Sequence, residues 1–200
     1  MKLLVFSDIH NDFKTLERLI DTEADYYFAA GDLVSWSRGL DRAGEILHRK
    51  ADRVYVLPGN HETPAEISKF CVRYGFHDLH GKSIEIQGFH VAGLGCSSPT
   101  PFNTPGEYSE TEIAVRLAAF ANLTPLILIC HCPPKPSLLD HNGKGLHFGS
   151  SAVAGFLEKY PPRYFFCGHV HEAEGVMEML GPTTGRNVGK QGYLLDLGKL

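Results

Sequence analysis

Apolar and polar positions alternate along this chain in short runs, and nearly every run stops at a glycine, a proline or a chemically active side chain. KLLVFSD, DYYFAAGD, RVYVLPGN, KSIEIQG, FHVAGLG, PLILICH, RYFFCGH, GVMEML and GYLLDL are the runs of this kind. Rich in branched and aromatic residues and bounded by turn formers, they predict strands. Between several of them the period lengthens to that of a helix. Residues 12–22 put Phe13, Leu16, Leu19 and Ile20 on one face, with Asn11 or Asp12 as N-cap, and residues 110–121 and 150–159 also read as helices. The first half alternates strand and helix, while Lys82 to Leu94 reads as a hairpin. The expected class is α/β with a mixed sheet system.

Composition narrows this little but excludes much. Two hundred residues, 43% of them hydrophobic, suit a single domain over residues 1–200 that buries about 70% of its unfolded surface. No apolar run approaches the roughly 20 residues of a membrane helix, and the N-terminus enters a strand without a signal-peptide pattern. The expected location is therefore cytoplasmic, with no membrane partner. Five cysteines without a CxxC spacing argue for reduced thiols rather than a disulfide framework. A net charge of −4 and the lack of a basic stretch argue against nucleic acid as a partner. Affinity for phosphate would have to come from a bound cation.

The strand ends carry the chemistry. DIH closes the first run with Asp8 and His10, and GD follows the second with Asp32. GNHE follows the third with Asn60, His61 and Glu62, ICHCPP places His131, and GHVH places His169 and His171. Open α/β sheets bind ligands at the carboxyl ends of their strands, so these loops are expected to assemble one site. Two carboxylates, an amide oxygen and four imidazoles, with His61 set apart, form a mixed nitrogen and oxygen set suited to Mn, Fe or Zn. That is more ligands than one ion takes, and a carboxylate shared by two ions about 3.5–4 Å apart resolves the excess. Gly31, Gly59 and Gly168 are expected to let the backbone turn tightly beside the ions. Cys130 and Cys132 alternate with His131 and are expected in the core.

Taken in order, SDIH, GD, GNHE, H and GHVH resemble the motifs of the calcineurin-like metallophosphoesterase family, spread from residue 7 to residue 171. The resemblance implies a four-layer αββα sandwich: two mixed β-sheets packed face to face, helices outside, and the metal site at the C-terminal ends of strands. It implies two divalent ions, one held by Asp8, His10 and His171, the other by Asn60, His131 and His169, with Asp32 bridging. His61 would lie by the phosphate and the leaving oxygen as a catalytic residue, its ring oriented by Glu62. The implied activity is hydrolysis of small phosphate esters by in-line attack of a metal-bridging hydroxide, with phosphodiesters favoured because so short a chain shows no cap domain. The alternatives are a phosphomonoesterase, a nuclease, and a metal-containing scaffold without activity. Two divalent ions less Asp8, Asp32 and a hydroxide leave about +1 to attract an anionic ester.

Where many relatives carry an Asp-Arg pair after the GD motif, this chain has Ser35 and Trp36. Arg38 could substitute, although a surface role is the simpler expectation. Trp36 could stack on a base or plug a loop. The proline-rich segment 95–110 is either a binding loop or a rigid crossover. Residues 141–150 could bring His147 or backbone amides to a phosphate, but a helix start capped by Ser150 or Ser151 is the plainer reading. His48, His77, His80 and His90 lie outside the strand-end pattern and read as surface or core.

Overall fold

The computed structural model describes residues 1–199. Strand and helix alternate first: β1 (Lys2–Phe6), α1 (Phe13–Asp21), β2 (Tyr26–Ala30), α2 (Leu40–Leu47), β3 (Val54–Leu57), α3 (Pro64–Tyr74) and the short β4 (His77–Asp78). Then follow β5 (Lys82–Ile86), β6 (Phe89–Leu94), α4 (Glu110–Ala118), β7 (Leu126–Cys130), α5 (Ser151–Lys159), β8 (Tyr164–Cys167), β9 (Met177–Leu180), β10 (Thr183–Asn187) and β11 (Tyr193–Asp196). Among the described residues, no helix is long and apolar enough to cross a membrane.

The strands form two sheets, ordered β11-β1-β2-β3-β4 and β5-β6-β7-β8-β10-β9. Inner pairs are parallel, whereas β1 with β11, β5 with β6 and β9 with β10 are antiparallel. Both sheets are therefore mixed, and the hairpin over residues 82–94 is present. Side chains alternate across each strand, which sorts them into three apolar layers. Leu4, Phe6, Tyr27, Ala29, Val54 and Val56 face the first helical layer with Leu16, Ile20, Leu47 and Ile67. Their neighbours Leu3, Val5, Phe28, Ala30 and Leu57 meet Val91, Ile127, Ile129 and Phe166 of the second sheet. Beyond it, Leu94, Leu128, Cys130 and Phe165 pack against Ile113, Leu117, Val153 and Phe156 of α4 and α5. Helices, sheet, sheet and helices thus make the four-layer sandwich. The five cysteines are unbonded and buried, with Cys130 and Cys132 in the outer core.

The helix starts follow local chemistry. Asp12 accepts the Thr15 amide at 3.2 Å to cap α1, and Ser150 accepts that of Val153 at 3.2 Å to cap α5. Thr63 with Glu66 and Ser109 with Glu112 form reciprocal capping boxes on α3 and α4. Two strands had no apolar signal to find. In β10 the buried positions are Thr183, Gly185 and Asn187, and β4 is two residues long.

Candidate metal centre

Every strand end named from the sequence delivers its side chain to one place. Asp8 and His10 follow β1, Asp32 follows β2, and Asn60 and His61 follow β3, all from the first sheet. His131 follows β7, and His169 and His171 follow β8, from the second. Asp8, His10, Asp32 and His169 all have positive φ, at 55°, 45°, 52° and 70°. Side chains other than glycine adopt that region at a cost of order 1 kcal/mol or more each, and such strain collects at functional sites. The surrounding hydrogen bonds hold it in place.

Asp32 Oδ2 lies between two sets of donors, 3.4 Å from His10 Nε2 and 3.5 Å from His131 Nε2. On one side, His10 Nε2 is 3.0 Å from His171 Nε2, which in turn is 3.5 Å from Asp8 Oδ1. On the other, Asn60 Oδ1 is 2.8 Å from His169 Nδ1 and 3.2 Å from His131 Nε2. Asp8 with His10 and His171, and Asp8 with Asp32 and His131, each bring their ligand atoms within 4.8 Å of one another. His61 comes equally close to His10 and Asp32.

These contacts fit a cation better than a hydrogen-bond network. His131 Nδ1 is 2.8 Å from the Ala30 carbonyl and must donate to it, so in the neutral ring the Nε2 lone pair faces the oxygens of Asn60 and Asp32. The Asn60 amide nitrogen donates to Thr104 Oγ1 at 3.2 Å, which turns its oxygen inward. Acceptors facing acceptors call for positive charge, and without an ion protons supply it. Burial opposes the charge on His131, but the Asp32 carboxylate raises its pKa to about 9. A bond to Asp8 likewise raises that of His171. Burial, with His131 nearby, lowers His169 to about 4. Burial works against the charge on Asp8 and Asp32 too, yet facing imidazoles hold both below the usual carboxylate range.

A second ring of residues aims the first. Glu62 is fully buried, and its carboxylate accepts the amides of Asp32, Val34 and Gly59 at 3.0, 3.0 and 2.8 Å. It therefore ties the β2 and β3 loops together and does not orient the His61 ring. That task falls to Trp36, whose amide donates to His61 Nδ1 at 3.2 Å while its indole meets the ring edge-on at 5.4 Å. Ser35 Oγ lies 3.1 Å from His10 Nδ1. Ser35 and Trp36 thus hold two of the site imidazoles. Burial and the Asp32 charge push Glu62 up to about 8, against amide donors that favour its ionised form. Two glycines act by giving room rather than by turning the chain: a Cβ at Gly168 would land on Ser7 and the Asp8 carboxylate, and one at Gly59 on that of Asp32. Asn187, which carries no sequence signal of a role here, donates from one buried nitrogen toward the carbonyls of Leu139, Gly168 and Val170.

A cavity of about 320 Å³ opens over the cluster, with Thr100, Pro101 and Phe102 from the proline-rich loop and Asn142 and Phe148 from the later one on its walls. Arg38 is exposed and is not part of this lining, and the lining holds neither arginine nor lysine. His147 pairs with buried Asp140 at 2.6 Å rather than facing the cavity. A second cavity, of about 270 Å³, shares His10 and His171 and includes Lys190.

Fold and site together define a metallohydrolase-like α/β sandwich with a donor cluster at its strand ends. The sequence matches the calcineurin-like phosphoesterase family over residues 1–173, and the chain belongs to that family. An uncharacterized protein of Methanocaldococcus jannaschii is 28% identical over 208 residues, covering 98% of this chain and 91% of its own. The Thermus thermophilus protein TT1561 superposes with a TM-score of 0.71 at 23% identity, over 94% of this chain and 88% of its own. A dimetal phosphatase from Danio rerio does so with a TM-score of 0.61 at 14% identity, over 93% and 86%. At these identities the two structures speak for the fold.

Proposed function

We propose that the chain, as one domain, is a two-metal phosphodiesterase for small esters. The observation that carries this is the position of Asp32 Oδ2 between the His10 and His131 nitrogens, with further donors converging on each side. Asp8, His10 and His171 would hold one divalent ion, and Asn60, His131 and His169 the other, with Asp32 shared. The soft imidazoles favour Mn, Fe or Zn over Mg. When bound, such a pair activates water as a nucleophile and polarises a phosphoryl oxygen.

The chain's own residues do the rest. Glu62 keeps the Asp32 and Asn60 loops in register, and the Thr104 hydroxyl keeps the Asn60 oxygen inward. His61, on the cavity wall, offers its Nε2 side to the substrate.

Charge favours a diester. Two divalent ions, two carboxylates and a hydroxide leave about +1, which a diester of charge −1 neutralises, whereas a monoester dianion would need a further cation. The cavity over the cluster offers no lysine or arginine for that, and Lys190 of the adjoining cavity is already paired with Asp12 at 3.4 Å. Cavities sharing His10 and His171 leave space for two substituents. The test is turnover of bis(p-nitrophenyl) phosphate against p-nitrophenyl phosphate with added manganese. Preference for the monoester would replace this reading with a phosphatase, and activity on neither would point to a scaffold.

A further inference from the structure

One wall of the cavity over the cluster has no part in holding metal. Phe102, from the loop after β6, and Phe148, from the loop before α5, both line it, and they are 73% and 40% exposed. A single exposed phenylalanine is ordinary, but two from separate loops on the wall of one cavity, above the donor cluster, form a built surface. The backbone that carries each is tied down by hydrogen bonds. The Glu107 carboxylate accepts the Thr100 and Thr104 hydroxyls on either side of Phe102, each at 2.6 Å, and the Phe148 amide donates to the Asp140 carbonyl at 3.1 Å.

The polar groups on this wall are uncharged apart from Glu172. The Asn142 oxygen is occupied by the amides of Lys144 and Leu146, at 2.9 and 3.1 Å, which leaves its NH₂ to donate to a ligand. An anionic substituent would find no cation here. A flat apolar ring would find two aromatic side chains, since phenylalanine attracts other rings edge-on or in offset stacks.

We propose that this wall is the subsite for a planar, uncharged ring on the substituent that stays on phosphorus, an aryl or nucleobase-type group, seated against Phe102 and Phe148, with Asn142 free to donate to an acceptor where the ring carries one. The proposal deepens the phosphodiesterase reading and rests on it for the turnover arm of its test. Two diesters with one leaving group, phenyl p-nitrophenyl phosphate and methyl p-nitrophenyl phosphate, isolate the other substituent.

In the manganese-loaded protein the phenyl-to-methyl ratio of kcat/KM should fall by about fivefold or more in Phe102→Ala and in Phe148→Ala, with methyl-ester turnover held within about twofold. Phe102→Leu, which keeps apolar area but loses the ring face, should fall between. Binding of phenylphosphonate against methylphosphonate, by calorimetry, reads the same subsite without turnover. An unchanged ratio in both alanine variants, or equal slowing of both esters, would overturn the proposal. So would equal affinity of the wild type for the two phosphonates. Phosphonate discrimination that depends on the two phenylalanines, in a protein that turns over neither diester, would uphold the subsite and remove the diesterase reading alone.

Discussion

The backbone amide of Trp36 donates to Nδ1 of His61 at 3.2 Å. A ring that accepts at Nδ1 carries its hydrogen on Nε2, the side that faces the cavity. This geometry leads us to expect that His61 donates a hydrogen bond to phosphate charge rather than a proton to the leaving oxygen. Proton donation would make His61→Ala cost alkyl esters far more than nitrophenyl esters. Charge stabilisation predicts instead a loss of roughly 10²–10³ in kcat for both. Rates of the variant on a series of leaving groups decide this: a steeper leaving-group dependence than wild type restores the acid role. Loss of metal, read by elemental analysis, would make His61 a ligand.

The place of Asp32 between the His10 and His131 nitrogens predicts unequal effects of the two carboxylates. Asp32→Asn should strip both ions and lower activity by more than Asp8→Asn, which faces His171 and releases one ion first. Metal content after dialysis should be about two ions per chain in wild type, about one in Asp8→Asn and less in Asp32→Asn. An Asp32→Asn protein that keeps wild-type metal and activity contradicts the shared carboxylate.

Asn187 anchors the loop that carries His169 and His171, reaching the carbonyls of Gly168 and Val170 at 3.1 and 3.0 Å from a fully buried position. Leucine in its place fills similar volume but removes the donor that those oxygens share with the backbone amides of Val170 and Ala173 and that ties them to β10. Asn187→Leu should cost about 2 kcal/mol, lowering Tm by about 4–8 °C in a chain of this size. It should also loosen the metal on the His171 side. Calorimetric scans with and without manganese check both, and a wild-type Tm would show that other groups hold the loop.

What could be read from the sequence follows where the physics is local. Apolar runs ending in Asp, Asn or His marked five strand ends, and those strands in the structure stop within a few residues of these side chains. The face-to-face layers were implied by the family resemblance, and in the structure period-two burial sends neighbours such as Leu3 and Leu4 or Phe165 and Phe166 to different layers. Positioning groups were harder to see because their partners are distant in the chain. Asn187 meets Gly168 nineteen residues away, and Thr104 meets Asn60 forty-four away. Glu62 had a visible place in GNHE, but the amides it accepts include those of residues thirty and twenty-eight positions earlier, which no local pattern reveals. Strand β10 was hidden because its inward residues are Thr, Gly and Asn.

His80 gives the fold a pH dependence with a defined sign. It accepts the Gly95 amide on Nδ1 at 3.0 Å, so Nε2 carries the hydrogen and donates to the Tyr108 hydroxyl at 3.1 Å, joining the two ends of the proline-rich loop. Burial lowers its pKa to about 4, only partly countered by Asp78. The folded state thus holds His80 neutral where the unfolded chain, near 6.5, takes up a proton. The contribution is fully present above about pH 6.5 and is lost as pH falls from there toward about 4, to an extent on the order of 2 kcal/mol for this partly buried ring. His80→Asn keeps an acceptor and a donor but cannot titrate. With metal removed from both proteins, the stability of wild type relative to His80→Asn should be constant above about pH 7 and decline on acidification to about pH 4.5, by urea titration at each pH. A difference that stays constant over that whole range would mean that His80 is already charged in the folded protein or remains exposed to water.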